Sequence, residues 1–132
     1  MRIMYNALAL LDKRSGKLVT SLAGVDHEVS AYNRDDMPVV YDEKSQMAYA
    51  SFADTANGCA SGGCTQIVAF DIAAKKVKWR LPVDRSVSDI AVADDTVFFT
   101  RNNWQLVSVN AITGKVQWTW AAPKGMENPY IV

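Results

Sequence analysis

The chain of 132 residues suits one modest domain or a piece of a larger one. Apolar residues make up 49%, enough for a working core and too many for a disordered chain. Lys plus Arg (14) balances Asp plus Glu (14), so the basic excess typical of nucleic-acid binders is absent, and no apolar run approaches the ~20 residues of a membrane helix.

In chain order, the first apolar run is Ile3 to Leu11, behind Arg2. It could pass for a short signal peptide, but Asn6 interrupts it and no small-x-small cleavage site follows. It reads instead as two strands, Arg2 to Tyr5 and Ala7 to Leu11. The polar stretch Gly24 to Asp36 reads as a loop. Its His27, within Val25-Asp26-His27-Glu28, fits a solvated loop histidine better than a general base. Strands are expected over Met37 to Tyr41 and Met47 to Ser51, around the turn Asp42 to Gln46. Ala53 to Gln66 is a second long loop and carries both cysteines, Cys59 and Cys64. Four small residues separate them, which allows the close approach a disulfide needs; two free thiols are the other reading. A disulfide would imply an oxidising, periplasmic or extracytoplasmic setting, and free thiols a cytoplasmic one. Zinc would need two more ligands. Asp89 to Val92 and Thr96 to Thr100 are strands around Ala93-Asp94-Asp95. The carboxylate pairs Asp35-Asp36 and Asp94-Asp95 each sit beside a strand, where turn chemistry accounts for them. Trp104 follows Arg101-Asn102-Asn103 in a short turn, where it is either a binding-surface anchor or packing against a neighbour.

Three segments align without gaps: Leu8 to Thr20, Ile67 to Trp79 and Leu106 to Trp118. Each has four apolar or small residues, Asp or Asn, three variable residues, Gly or Lys, then Lys, an apolar residue, a variable one, and Trp or Thr. This is a β-hairpin. The first half is a strand buried on both faces, and Asp or Asn ends it by bonding the turn. Gly16 and Gly114 stand where the turn needs φ > 0; the second copy has Lys75 there, so its turn is expected to be strained or differently built. The second half alternates. Val116, Trp118 and Trp120 are expected on one face and Lys115, Gln117 and Thr119 on the other, with Val77, Trp79 and Leu81 opposed to Lys76, Lys78 and Arg80 in the same way. Trp79, Trp118 and Trp120 are therefore expected to be structural and core-facing. Two strands precede each full hairpin, so each unit is four short antiparallel strands, A to D. Asp71 and Asn110 are 39 residues apart, near the ~40–50-residue period of propeller blades; Asp12 and Asp71 are 59 apart, and the two long loops take up the surplus.

The segments Ala69-Phe70-Asp71 through Trp79, and Ser108-Val109-Asn110-Ala111-Ile112-Thr113-Gly114-Lys115-Val116-Gln117-Trp118, resemble the PQQ-like (pyrroloquinoline quinone) propeller repeat: Ala-x-Asp, a Thr-Gly-Lys turn, then a strand ending in Trp. The third copy matches best; the second lacks the turn Gly, and the first has Thr20 in place of Trp. The resemblance implies an all-β fold of four-stranded antiparallel blades, about three of them, as a partial β-propeller or half of a dimeric ring. One domain, 1–132, is expected. Blade 1 would have strands B to D in 1–23, completed by strand A in 127–132; blade 2 would be 37–82 and blade 3 88–121. The repeat is shared by quinoprotein dehydrogenases, which hold the quinone and calcium on a complete propeller, and by non-enzymatic propellers that bind proteins, among them an outer-membrane protein assembly lipoprotein. No dehydrogenase site position maps onto this chain, so no catalytic or metal residue is expected. The functional expectation is a non-enzymatic protein-binding or scaffold module, with no cofactor. Its partner would be protein, including a second copy that closes a six-bladed ring, and neither nucleic acid nor a membrane span. The alternative is a fragment or subunit of a PQQ-dependent dehydrogenase oxidising alcohols or sugars, with PQQ and calcium.

Overall fold

The computed structural model describes residues 2–4, 7–21, 38–53, 65–83, 87–101 and 105–125. Within them lie β1 (Arg2–Met4), β2 (Ala7–Leu11), β3 (Leu18–Ser21), β4 (Val39–Asp42), β5 (Met47–Ala53), β6 (Thr65–Asp71), β7 (Lys76–Val83), β8 (Val87–Ala93), β9 (Thr96–Arg101), β10 (Gln105–Asn110) and β11 (Val116–Ala121), and no helix. They form three antiparallel sheets: β1-β2-β3, β4-β5-β6-β7 and β8-β9-β10-β11. Each sheet follows chain order, every strand pairing with the next one along the chain. The architecture is all-β, with four-stranded antiparallel blades forming part of a propeller. The segments 24–36, 54–64 and 126–132 fall outside the described residues, and with them the expected strand in 127–132.

The middle sheet is covered on both faces, which explains why β6 is a nearly unbroken apolar run: Thr65 to Phe70 are all buried. Its two faces serve two clusters. Met47, Tyr49, Ile67, Ala69, Trp79 and Val83 pack toward the third sheet, against Ile90, Val97, Phe99, Val107, Val109 and Ala111. Ala48, Ala50, Val68, Phe70 and Ile72 form the other cluster, to which Leu10 of β2 adds itself. The sheets are thus stacked in sequence, and β8 lies against β4 and β5 of the sheet before it.

The expected alternation in the second half of each hairpin is broken by a β-bulge. Phe70 pairs with Val77 but the adjacent Ala69 pairs with Trp79. Likewise Val109 pairs with Val116 and Ser108 with Trp118. Paired residues share a face, and successive residues of β6 or β10 do not. Val77 therefore turns to one face and Trp79 to the other, and Val116 and Trp118 separate in the same way. The same irregularity falls between Leu10 and Leu11 in the first repeat.

Candidate functional site

Each repeat's turn is organised by one side chain. Asp12 Oδ1 accepts from the Arg14 N–H at 3.0 Å, the Ser15 N–H at 2.7 Å and the Ser15 hydroxyl at 2.9 Å. Asn110 Oδ1 accepts from the N–H groups of Ile112 at 2.9 Å and Thr113 at 3.0 Å, and Asp71 Oδ1 from that of Ala74 at 2.9 Å. The side chain mimics a backbone turn, which is why Asp and Asn are interchangeable here. The donors at Ser15, backbone first, and then the Arg14 N–H hold the Asp12 carboxyl below its ordinary value. Asp42 is lowered mainly by the Ser45 hydroxyl, which donates to it. Gly16 (φ 69°) and Gly114 (φ 72°) take the left-handed conformation. Lys75 takes it too, at φ 53°, but its N–H donates to the Ile72 carbonyl at 3.3 Å, where the Gly114 N–H donates to the Asn110 carbonyl at 2.8 Å, so the second turn is left-handed without glycine and, as expected, differently built. Asp94 (φ 47°) and Asp95 (φ 59°) are the two central residues of the β8–β9 hairpin, as turn chemistry requires.

These turns matter because the neighbouring sheet lands on one of them. The Trp79 indole N–H donates to the Ala111 carbonyl at 2.8 Å, in a buried bond between β7 and the turn after β10. Its ring lies where a Gly114 Cβ would be: Cδ2, Cγ and Cε3 of Trp79 stand 2.6, 2.8 and 2.9 Å from that position. Tyr49 completes the joint, its ring centroid 5.9 Å from that of Trp79 at a tilt of 38°. Burial, and then the Asp42 charge, push the Tyr49 phenol up, so it stays neutral.

The third sheet repeats the donor half of that joint on its far face. Phe98 and Trp118 stand 6.1 Å apart at 51°, matching Tyr49 and Trp79. Trp118 is nevertheless 46% exposed and Trp120 42%, against 9% for Trp79. This corrects the expectation that Trp118 and Trp120 lie in the core. They are in phase with Trp79, but nothing among the described residues covers their face as the third sheet covers Trp79. The face of Phe98, Trp118 and Trp120 is the candidate binding surface. Cys59, Cys64, Trp104, His27, Asp35 and Asp36 all lie outside the described residues. The joint of Trp79 with Gly114 and Ala111 was not foreseen; its signal is the pairing of a repeat's terminal Trp with the next repeat's turn Gly.

A sequence profile of the family described as outer membrane protein assembly factor BamB matches residues 5–128. The chain belongs to this family of PQQ-like repeat proteins. No curated protein matches the chain. Among solved structures, Saccharomyces cerevisiae Sqt1 superposes with a TM-score of 0.65 at 18% identity over 89% of this chain and 28% of its own. BamB from Moraxella catarrhalis gives 0.55 at 14% over 82% and 28%. Quinohemoprotein alcohol dehydrogenase from Comamonas testosteroni gives 0.64 at 14% over 89% and 27%. The chain therefore spans little more than a quarter of these proteins, and the likeness is one of fold: the BamB-like repeats form part of a β-propeller.

Proposed function

We propose that this chain is a non-enzymatic protein-binding or scaffold module whose partner is protein, including a second copy of itself. The observation that carries the reading is the exposed aromatic face of Phe98, Trp118 and Trp120, carried on paired strands whose register includes a bulge. Tryptophan is over-represented where interfaces gain most of their affinity, and apolar patches of this kind mark binding sites. The description of the family as an assembly factor agrees with a protein partner. The outer-membrane setting in that description supports a periplasmic or extracytoplasmic location, where Cys59 and Cys64 would form a disulfide.

The competing reading is a piece of a PQQ-dependent dehydrogenase, a class represented among the structural relatives. Titration of the purified protein with PQQ and calcium, followed by dye-linked oxidation of alcohols and sugars, separates the two. The scaffold reading expects neither saturable quinone binding nor turnover. Stoichiometric binding with turnover would overturn it.

A further inference from the structure

Between Asp71 and Asp84 the chain carries four of its 14 basic residues, Lys75, Lys76, Lys78 and Arg80, and no acidic one. In a protein of zero net charge this is a local excess, and it gathers on one element. Lys76, Lys78 and Arg80 lie on β7, the last strand of the middle sheet, and Lys75 lies on the turn that leads into it. One side of β7 pairs with β6; the other pairs with no strand among the described residues. Lys75, Lys76 and Lys78 are exposed, and no carboxylate among the described residues forms an ion pair with any of them. Asp71, across the turn, gives its Oδ1 to the Ala74 N–H instead. Both faces of the middle sheet are covered, so this edge does not depend on what lies beyond the first or the third.

Edge protection and turn geometry leave these cations unexplained. Lysines keep an edge strand from pairing with the wrong chain. Yet β11 is the corresponding strand of the third sheet and also an edge, and it does without them. Where the second repeat has Lys75, Lys78 and Arg80, the third has Gly114, Gln117 and Thr119 and the first has Gly16, Val19 and Ser21. Only Lys76, matched by Lys17 and Lys115, belongs to the repeat itself. The far end of β7 is already blunted by the exposed Pro82, which has no N–H to offer another strand. Nor does the turn call for lysine: at φ 53° Lys75 holds a left-handed backbone that is strained for a side chain and open to the glycine of the other two repeats.

We propose that the open side of β7, from Lys76 to Leu81, receives an extended acidic segment of a partner protein as a fifth strand. Such a strand takes its affinity from main-chain hydrogen bonds and its specificity from the side chains beside it. Lys76 pairs with Asp71 and Arg80 with Val68, so the two cations flank opposite faces of the sheet. Lys78 stands between them at the bulge, without a β6 partner in the register. Asp or Glu on either face of the incoming strand therefore meets a cation, and a basic strand is repelled. This surface is separate from the aromatic face of Phe98, Trp118 and Trp120; it rests on the proposed function only in that the partner is protein.

The probe is a fluorescein-labelled decapeptide of alternating Glu and Thr, titrated with the chain and followed by fluorescence anisotropy. At about 50 mM salt it is expected to saturate below about 100 μM, and at about 500 mM to bind at least about threefold more weakly, because salt screens exposed charges. The Lys75→Gly/Lys78→Gln variant gives β7 and its turn the third repeat's residues at two exposed places, and is expected to bind about fivefold more weakly than the wild type. Amide hydrogen exchange reads the position: the peptide is expected to slow exchange along Lys76 to Leu81 and not along β11. Near-ultraviolet circular dichroism, which reads the buried Trp79, shows that the variant is folded. No saturable binding, a folded variant that binds like the wild type, or slowed exchange elsewhere than β7 overturns the proposal. A peptide alternating Glu and Pro has the same charge but lacks every second N–H; if it binds as tightly, charge alone holds the peptide and the added strand is overturned. A single-stranded oligothymidylate that binds as tightly as the Glu-Thr peptide overturns the protein partner and assigns the edge to nucleic acid. The quinone titration is independent of these outcomes: a chain that refuses the acidic strand still binds protein through its aromatic face, and one that turns over with PQQ fails the scaffold reading whatever the peptide does.

Discussion

An indole N–H, a backbone carbonyl and the space of one missing Cβ hold the second sheet to the third. Trp79→Phe keeps most of the ring but strands the buried Ala111 carbonyl, an unpaired group that costs about 1–3 kcal/mol. Denaturant unfolding is expected to show that loss with an unchanged slope. Gly114→Ala and Gly16→Ala form an internal comparison. Both pay about 1–2 kcal/mol for left-handed backbone, but only at Gly114 does the new methyl meet an indole ring, adding about 1–3 kcal/mol of overpacking. Equal losses measured on the monomer would contradict the docked joint. At Asp12 the prediction concerns pH. Hydrogen bonds from Ser15 and Arg14 lower its folded value, so its contribution is present above the ordinary carboxylate value of 3.8 and fades as pH falls below it. Asp12→Asn keeps the turn, as Asn110 does in the third repeat, and is expected to flatten the acid limb of a stability–pH profile.

Among the strands, β6 and β11 mark the extremes of one pattern. Every residue of β6 but the last is buried, because sheets lie on both of its faces; every residue of β11 is exposed. Ile67→Ala should cost about 2–5 kcal/mol by opening a cavity at a fully buried site, while Val116→Ala, at a site half exposed, should stay within about 1 kcal/mol. Chemical denaturation of the two variants checks the contrast. The bulges belong to the same scale. In the second and third repeats the bulge sends the Val to one face and the Trp to the other. Without the bulge, Trp79 would share Val77's face and could not reach Gly114.

For the molecule as a whole, the stack of sheets presents apolar side chains at both ends: Leu11 and Leu18 on the first sheet, Trp118 and Trp120 on the third. An apolar sheet face is stabilised by cover, and a propeller provides cover by adding sheets until the ring closes. The location proposed above carries its own prediction. Intact-mass spectrometry of freshly isolated, unreduced protein should find it lighter than the reduced form by two hydrogens, the mark of a Cys59–Cys64 disulfide. Two alkylatable thiols in that material would remove the main sequence argument for an oxidising compartment.

The sequence by itself determined the all-β class, the four-stranded unit and the turn chemistry, because these depend on neighbours along the chain. Asp12, Asp71 and Asn110 bond groups two or three residues away, and Gly16 and Gly114 take their left-handed φ within their own turns. The strands flanking Asp94-Asp95 were legible for the same reason. Only the tertiary structure decided which face each strand-D side chain takes and whether that face is covered. Strict alternation put Val116 and Trp118 together, and the bulge separates them, because it depends on pairing with another strand. Trp79 and Trp118 are alike in local sequence and in phase. One is buried and the other half exposed, because burial is set by the next sheet in space, and no local pattern encodes what that sheet will be.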